Sequence, residues 1–250
     1  MPVFSSDGVE LAYLDEGAGD PVLLIHGFGS TKEINWVNPG WFKLLTQAGR
    51  RVIAFDHRGH GASRKLYEPA LYHTERMADD AARLLDHVGV RQADVIGYSM
   101  GARVGAHLAL HYPDQVRSLV MGGLGIHLVD GVGLPQSIAH ALEAPSLEDV
   151  SDPMGRMFRA FGEANKADLK ALAACIRGSR QVLSREEVRR LFQPVLVAVG
   201  TRDAVAGDAR ALADLLPDGE ALDIPGRDHN PAVGDKVFKQ GVLDFFARRP

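Results

Sequence analysis

Cysteine is nearly absent from this chain, which has one, Cys175, in 250 residues. A single thiol excludes an internal disulfide and any metal site built from several thiolates. Cys175 lies in an apolar stretch with helical spacing, which predicts a buried helix residue rather than a reactive thiol. Cysteine usage therefore favours a cytosolic setting.

Long apolar runs are also missing. No uninterrupted run approaches the roughly 20 residues that a membrane-spanning helix needs. Residues 1–7 lack the charged region and apolar core that mark a signal peptide. The net charge is only -4, so composition gives no reason to expect nucleic acid or an anionic membrane as a partner. We therefore expect a soluble cytoplasmic protein whose partner is a small molecule.

What the chain has in quantity is apolar sequence arranged in strand-like and helix-like segments. Its 46% hydrophobic content over 250 residues fits one large domain, or a domain that carries an insertion. Because predicted strands alternate with predicted helices, we expect a mostly parallel sheet covered by helices on both faces. The strands are predicted at 9–14 (an edge strand), 22–25, 51–56, a segment that begins at 95, 116–121, 195–199 and 221–224. The helices are predicted at 41–48, 74–88, 102–110 and 233–247. Residues 31–39 are predicted to form a loop.

The segment Gly97-Tyr98-Ser99-Met100-Gly101 predicts a sharp turn from a strand into a helix. A hydroxyl at the tip of such a turn leaves no room for side chains two positions before and after it, so both flanking residues must be glycine. The following helix would direct its free N–H groups toward an anion beside the hydroxyl. The pattern therefore indicates Ser99 as a nucleophile.

Three further strand ends supply the groups that such a serine needs. Asp203 follows the predicted strand 195–199 and is the candidate for the acid, although Asp208 competes from the same loop and fits better as a helix N-cap. His229 follows the last strand and is the candidate base. The backbone N–H groups of Phe28 and Met100 are the candidates for an oxyanion hole. The order serine, acid, histidine is one of three in which this triad occurs.

Two glycine-rich turns admit other interpretations. His26, before the turn that contains Phe28, could be a base, but its place at a strand end favours a structural hydrogen bond. The turn at 57–63 has neither the phosphate-binding loop pattern nor a following lysine at a helix start, so we interpret it as a turn tied by side-chain hydrogen bonds.

Between residues 125 and 190 the alternation of strands and helices stops, and the pattern is helical. Such an insertion, placed between two strands, would lie over the carboxyl edge of the sheet and exclude water from the substrate. Core packing is the competing interpretation for the apolar residues that we expect to line the pocket, which are Trp36, Met154, Met157, Phe158 and Phe161.

Together these motifs resemble the α/β-hydrolase superfamily. The match extends from about Val9 to Phe246. The residues that carry it are His26-Gly27-Phe28-Gly29, the D-x-R-G-H-G-x-S pattern from Asp56 to Ser63, the Ser99 turn, Gly200-x-x-Asp203 and Gly226-x-x-His229. The resemblance implies an eight-stranded sheet and a helical cap after the sixth strand, hence a core of residues 1–124 and 191–250 and a cap of 125–190. It also implies acyl transfer through Ser99 without a metal or an organic cofactor.

The resemblance leaves several substrates open. Phe28 and Met100 beside the oxyanion hole resemble esterase and perhydrolase members, and an apolar cap suits a small uncharged carboxylic ester. Enol-lactonases and carbon-carbon bond hydrolases are alternatives; the latter usually need a cap arginine for a substrate carboxylate, for which Arg156, Arg159 and Arg177 are candidates. A non-catalytic ligand-binding protein on the same fold is the alternative of another class.

Overall fold

An eight-stranded sheet forms the centre of the computed structural model, which describes residues 1–131 and 136–248. The strand order is β1-β2-β4-β3-β5-β6-β7-β8; β1 and β2 are antiparallel to their neighbours and the other pairs are parallel. The predicted, mostly parallel sheet is therefore confirmed. The strands are β1 Val3–Ser6, β2 Val9–Glu16, β3 Asp20–Ile25, β4 Arg50–Phe55, β5 Ala93–Tyr98, β6 Val116–Gly122, β7 Val195–Gly200 and β8 Gly219–Ile224.

Helices cover both faces of the sheet. Buried residues of α2 and α3 form one hydrophobic cluster with it, and those of α1 and α11 form a second. None of the helices within residues 1–131 and 136–248 combines the length and apolar character needed to cross a membrane. The helices are α1 Trp41–Gln47, α2 Thr74–His87, α3 Met100–His111, α4 His127–Asp130, α5 Ser137–Glu143, α6 Pro153–Ala164, α7 Leu169–Gly178, α8 Arg185–Val188, α9 Ala209–Ala213, α10 His229–Ala232 and α11 Lys236–Ala247.

Three sequence-based expectations about local structure were wrong. The edge strand is β1, whose Val3 pairs with Ala12, so β2 lies inside the sheet. The segment predicted as a loop at 31–39 contains a π-helical turn, Glu33–Val37. The closing helix begins at Lys236 because the Asp235 side chain caps it by accepting a hydrogen bond from the Val237 N–H at 2.7 Å.

The segment between β6 and β7 is helical, with α4 to α8 following one another. Phe158 of α6 packs against Phe28, the ring centroids being 5.8 Å apart, so α6 lies beside the loop that follows β3. Residues 132–135 and 249–250 belong to the predicted cap and core but lie outside the described residues. The division into a core and a cap stays a prediction.

Two buried histidines make the stability of this fold sensitive to acid. Burial, with a further contribution from nearby His26, lowers the pKa of His60 to about 3. Burial, with a further contribution from His111, lowers the pKa of His107 to about 4. Both imidazoles are therefore neutral in the folded chain at pH values where an unfolded histidine, with a pKa of about 6.5, already binds a proton.

We expect the free energy of unfolding to decrease as the pH falls below about 6.5. A pKa that is lowered on folding contributes stability above the unfolded value, and this stability is lost progressively toward the folded value. Each of the two histidines should lower the free energy of unfolding by about 2 kcal/mol between pH 7 and pH 5. Urea unfolding at both pH values measures this, and His60→Asn should flatten the dependence whereas exposed His140→Asn should not. Equal unfolding free energies at both pH values would contradict the expectation.

Candidate active site

Ser99 lies at a strained turn between β5 and α3. Its backbone has φ 55 and ψ -113, a region that side chains rarely adopt, and its N–H donates to the Gly122 carbonyl at 2.7 Å. A Cβ on Gly97 would lie 2.3 Å from the carbonyl oxygen of Gly101, and one on Gly101 would lie 2.0 Å from the carbonyl oxygen of Ile25. The two glycines are therefore required by close backbone contacts, as the sequence pattern predicts.

The structure brings together the three residues predicted to form the triad. The His229 Nε2 lies 2.9 Å from the Ser99 hydroxyl oxygen, and the His229 Nδ1 lies 2.7 Å from an Asp203 carboxylate oxygen. The Asp203 side chain is fully buried, and that of His229 is 15% exposed. This arrangement allows the Ser99 hydroxyl to donate to His229 Nε2 while the N–H at His229 Nδ1 donates to the Asp203 carboxylate.

Backbone contacts fix the acid and the base in place. The second Asp203 carboxylate oxygen accepts hydrogen bonds from the backbone N–H groups of Val205 at 2.8 Å and Ala206 at 3.1 Å. The Tyr98 hydroxyl donates to the backbone carbonyl of His229. This role of Tyr98 was not predicted from the sequence, where its only signal is its position directly before Ser99.

The backbone N–H groups of Phe28 and Met100 remain available beside Ser99. Within the parts of the chain that the structure describes, neither N–H donates to a protein acceptor. Met100 is the first residue of α3, where the helix provides no acceptor. The neighbouring Gly27 N–H, in contrast, donates to the Asn35 side-chain oxygen at 3.1 Å. The pair of free donors fits the predicted oxyanion hole.

An apolar cavity of about 190 Å³ adjoins Ser99 and His229. Met157, Phe158 and Phe161, three of the five predicted pocket residues, line it. The other two predictions were wrong. Trp36 is fully buried and packs edge-on against Trp41 at 5.9 Å, because the π-helical turn directs it into the core and places Asn35 at the cavity instead. Met154 lies one helical turn before Met157 and packs half-buried against the hydrophobic core.

A second cavity, of about 60 Å³, also adjoins Ser99 and is lined by two arginines. Arg103 is 9% exposed and donates to the carbonyls of Gln181 at 2.8 Å and His127 at 3.2 Å. Burial, with repulsion from Arg180, lowers the pKa of Arg103 to about 10. Nη1 of Arg180 is buried and has no hydrogen-bond partner in residues 1–131 and 136–248. Neither guanidinium forms an ion pair there, so the cavity is electropositive.

The three arginines that the sequence analysis considered are held elsewhere. Arg156 donates to the carbonyls of Leu147 and Val150, Arg159 pairs with Glu163, and Arg177 pairs with Glu143. Arg180 was missed. The one signal for it is weak: no acidic residue lies in the sequence from Leu169 to Arg185.

The competing assignments in the neighbouring loops are settled by hydrogen bonds. The His26 Nδ1 lies 2.8 Å from the Gly27 carbonyl, and its Nε2 accepts from the His57 backbone N–H at 3.0 Å, which confirms a structural role. The Asp208 carboxylate accepts from the Ala211 N–H at 2.8 Å and caps α9, as predicted. Cys175 is buried, also as predicted.

Comparisons with known proteins place this geometry in a family. The family model described as alpha/beta hydrolase fold matches residues 20–169. The chain is 27% identical to the non-heme chloroperoxidase of Kitasatospora aureofaciens, over 98% of this chain and 99% of that protein. It superposes on a hydrolase from Pseudomonas aeruginosa with a TM-score of 0.80 at 27% identity, covering 98% and 97% of the two chains. A thermophilic esterase from Thermogutta terrifontis matches with a TM-score of 0.77 at 25% identity, covering 98% and 96%. The chain belongs to the α/β-hydrolase family.

Proposed function

We propose that the protein is a serine hydrolase that cleaves small carboxylic esters through an acyl-enzyme intermediate. The observation that carries this proposal is the continuous hydrogen-bonded chain from the Ser99 hydroxyl through His229 to Asp203, with spacings of 2.9 and 2.7 Å. A serine hydroxyl is a poor nucleophile near neutral pH unless a neighbouring base takes its proton.

In the first half of the reaction, Ser99 Oγ attacks the ester carbonyl while His229 Nε2 takes the hydroxyl proton. Asp203 holds the tautomer in which the imidazole Nδ1 carries a hydrogen, and it stabilises the imidazolium. The oxyanion of the tetrahedral intermediate accepts hydrogen bonds from the Phe28 and Met100 N–H groups, each worth roughly 3 kcal/mol. The carbon–oxygen bond to the alcohol then breaks, and the alcohol leaves with the proton from His229.

In the second half, water attacks the acyl group on Ser99, and His229 takes the water proton. Collapse of the second tetrahedral intermediate releases the carboxylic acid and returns the proton to Ser99. The helices α4 to α8 act in this proposal as a cap, since Phe158 and Phe161 cover the cavity beside Ser99 and limit the entry of bulk water.

The apolar cavity supports an ester as the substrate. Met157, Phe158 and Phe161 from α6 line it together with Phe28, Ile34 and Val233, and this apolar share of the lining favours an uncharged acyl or alcohol group. The similarity to a named esterase agrees with this choice. Enol-lactone cleavage and perhydrolysis are alternatives that use the same triad. The similarity to a non-heme chloroperoxidase is a reason to keep perhydrolysis among them.

A specific observation favours a second candidate, hydrolysis of a carbon-carbon bond in a substrate that carries a carboxylate. The unpartnered Arg180 Nη1 lies in the electropositive cavity beside Ser99. A guanidinium without an ion pair provides donors matched to a carboxylate. Under this candidate, the carboxylate lies against Arg180 and the cleaved ketone group lies at Ser99.

One experiment compares both candidates. We expect the wild type to hydrolyse p-nitrophenyl acetate and butyrate, and Arg180→Gln to leave these rates within about threefold because neutral esters need no guanidinium. For a vinylogous diketone with a terminal carboxylate, loss of a charge-assisted hydrogen bond worth about 1.5–3 kcal/mol should lower kcat/KM by about 10- to 150-fold in Arg180→Gln. Steady-state kinetics with both substrates measures the difference.

The matched control is Arg177→Gln, a cap arginine whose charge is already paired with Glu143 and which lines neither cavity beside Ser99. Turnover of the esters alone supports the esterase; turnover of the diketone with a strong Arg180 dependence supports the carbon-carbon hydrolase. A wild type that turns over none of these acyl compounds would reject the proposal and favour a ligand-binding protein.

A further inference from the structure

Three potential metal ligands meet on the outer side of α2 and α3, away from Ser99. Glu75 belongs to the first turn of α2, and His107 and His111 lie one turn apart near the end of α3. One ligand atom from each residue lies within 4.8 Å of the other two. Residues four apart on a helix share a face, so the two imidazoles lie side by side, their centroids 5.9 Å apart.

His107 is buried without any hydrogen bond. It is 3% exposed, and both of its ring nitrogens lack a partner in residues 1–131 and 136–248. Buried polar groups in folded proteins are nearly always satisfied, so an imidazole with two unsatisfied nitrogens requires an explanation. A metal ion would give one of the two nitrogens a partner.

A carboxylate beside the two imidazoles favours a cation at the cluster. Glu75 supplies a carboxylate at the cluster itself, with its Oε1 at 3.9 Å from His111 Nε2.

We propose that Glu75, His107 and His111 bind a divalent first-row transition metal ion, with Zn²⁺ as the representative. Two imidazole nitrogens and one carboxylate are a usual ligand set for such ions, with water in the remaining position. The buried His107 provides the fixed ligand. His111 and Glu75 have half-exposed side chains and can rotate to shorten the present spacings to bonding distance.

A neighbouring residue can orient the carboxylate. His73 Nδ1 lies 3.9 Å from Glu75 Oε2, while the other carboxylate oxygen, Oε1, lies 3.9 Å from His111. A small rotation of either half-exposed side chain would let His73 donate a hydrogen bond to the carboxylate, the kind of contact that orients metal ligands. None of these residues lines the two cavities beside Ser99. The ion would therefore join the start of α2 to the end of α3, roughly 12 Å along that helix from Ser99, and would have a structural role.

The test uses the full chain after treatment with a chelator. Titration with Co²⁺, followed by visible absorption, and with Zn²⁺, followed by calorimetry, should each give one ion bound per chain. His111→Ala and Glu75→Gln should each weaken Zn²⁺ binding by at least about tenfold, since each removes one of three ligands. Zn²⁺ should also raise the Tm of the wild type but not that of the variants.

His140→Ala is the matched control, because it removes an exposed histidine from α5 and should leave Zn²⁺ affinity unchanged. His107→Ala completes the set, and the two half-exposed ligands keep the test decisive if that buried substitution prevents folding. A wild type that binds no Zn²⁺ in a one-to-one ratio would overturn the proposal, as would equal affinities in the wild type, His111→Ala and Glu75→Gln.

Discussion

Ser99→Ala is expected to lower kcat for ester hydrolysis by about 10⁶-fold, the loss typical of removing the nucleophile from a serine triad. The change deletes one oxygen, which contacts His229 Nε2 at 2.9 Å, and leaves the glycines that shape the turn. Alanine at φ 55 carries about the same backbone strain as serine, so the fold should persist. Circular dichroism and thermal unfolding check that it does.

Labelling with a fluorophosphonate probe gives an independent measurement of the same residue. The wild type should become covalently labelled as Ser99 Oγ attacks phosphorus and fluoride leaves, and Ser99→Ala should not be labelled. Ser151→Ala, which changes an exposed serine before α6, is the control and should be labelled like the wild type. An unlabelled wild type would indicate that the triad geometry is not used for catalysis and would favour a binding protein.

The central strands could be predicted because their environment imposes a simple pattern. β3, β5 and β7 are covered on both faces, and uninterrupted apolar runs are the result of that burial. β1 has only four residues, and its pairing with β2 depends on contacts between strands rather than on its own composition. Its existence therefore could not be predicted from local pattern.

The meeting of Ser99, Asp203 and His229 could be predicted because the chemistry proposed for them requires particular residue types at strand ends. Ser99, Asp203 and His229 each follow a strand, and the parallel sheet brings those ends together. The pocket residues follow no such rule. Whether Trp36 or Asn35 faces the cavity depends on the π-helical turn. Such a turn contains one residue more than an α-helical turn, and this extra residue changes which side chain points into the cavity.

Asp56→Asn is expected to lower the free energy of unfolding by about 3–5 kcal/mol, the cost of breaking a buried ion pair. Asp56 and Lys32 are both fully buried, with Lys32 Nζ 2.6 Å from one carboxylate oxygen. The carboxylate also accepts the backbone N–H groups of Lys32 at 2.9 Å and Ala62 at 2.8 Å. It therefore links the turn at 57–63 to Lys32, which follows the loop that contains Phe28. The sequence predicts that side-chain hydrogen bonds stabilise this turn.

A surface pair provides the matched control. Asp15 accepts two hydrogen bonds from Arg51, at 2.9 and 2.7 Å, but both side chains are partly exposed, so Asp15→Asn should cost no more than about 1 kcal/mol. Urea unfolding of both variants measures the difference.

Asp56→Asn is expected to destabilise the fold more than Asp15→Asn because it leaves the buried ammonium of Lys32 without its carboxylate partner. In Asp56→Asn the ammonium keeps Glu33 as an anionic neighbour at 2.9 Å, but the Glu33 side chain is 39% exposed, so water weakens that attraction. If the uncompensated charge causes the loss, Lys32→Met combined with Asp56→Asn should be more stable than Asp56→Asn alone, because neither charge of this buried pair then remains. Two outcomes would show that the ion pair does not stabilise the loop beside Ser99. One is an equal loss of unfolding free energy in Asp56→Asn and Asp15→Asn. The other is a double variant that is less stable than Asp56→Asn.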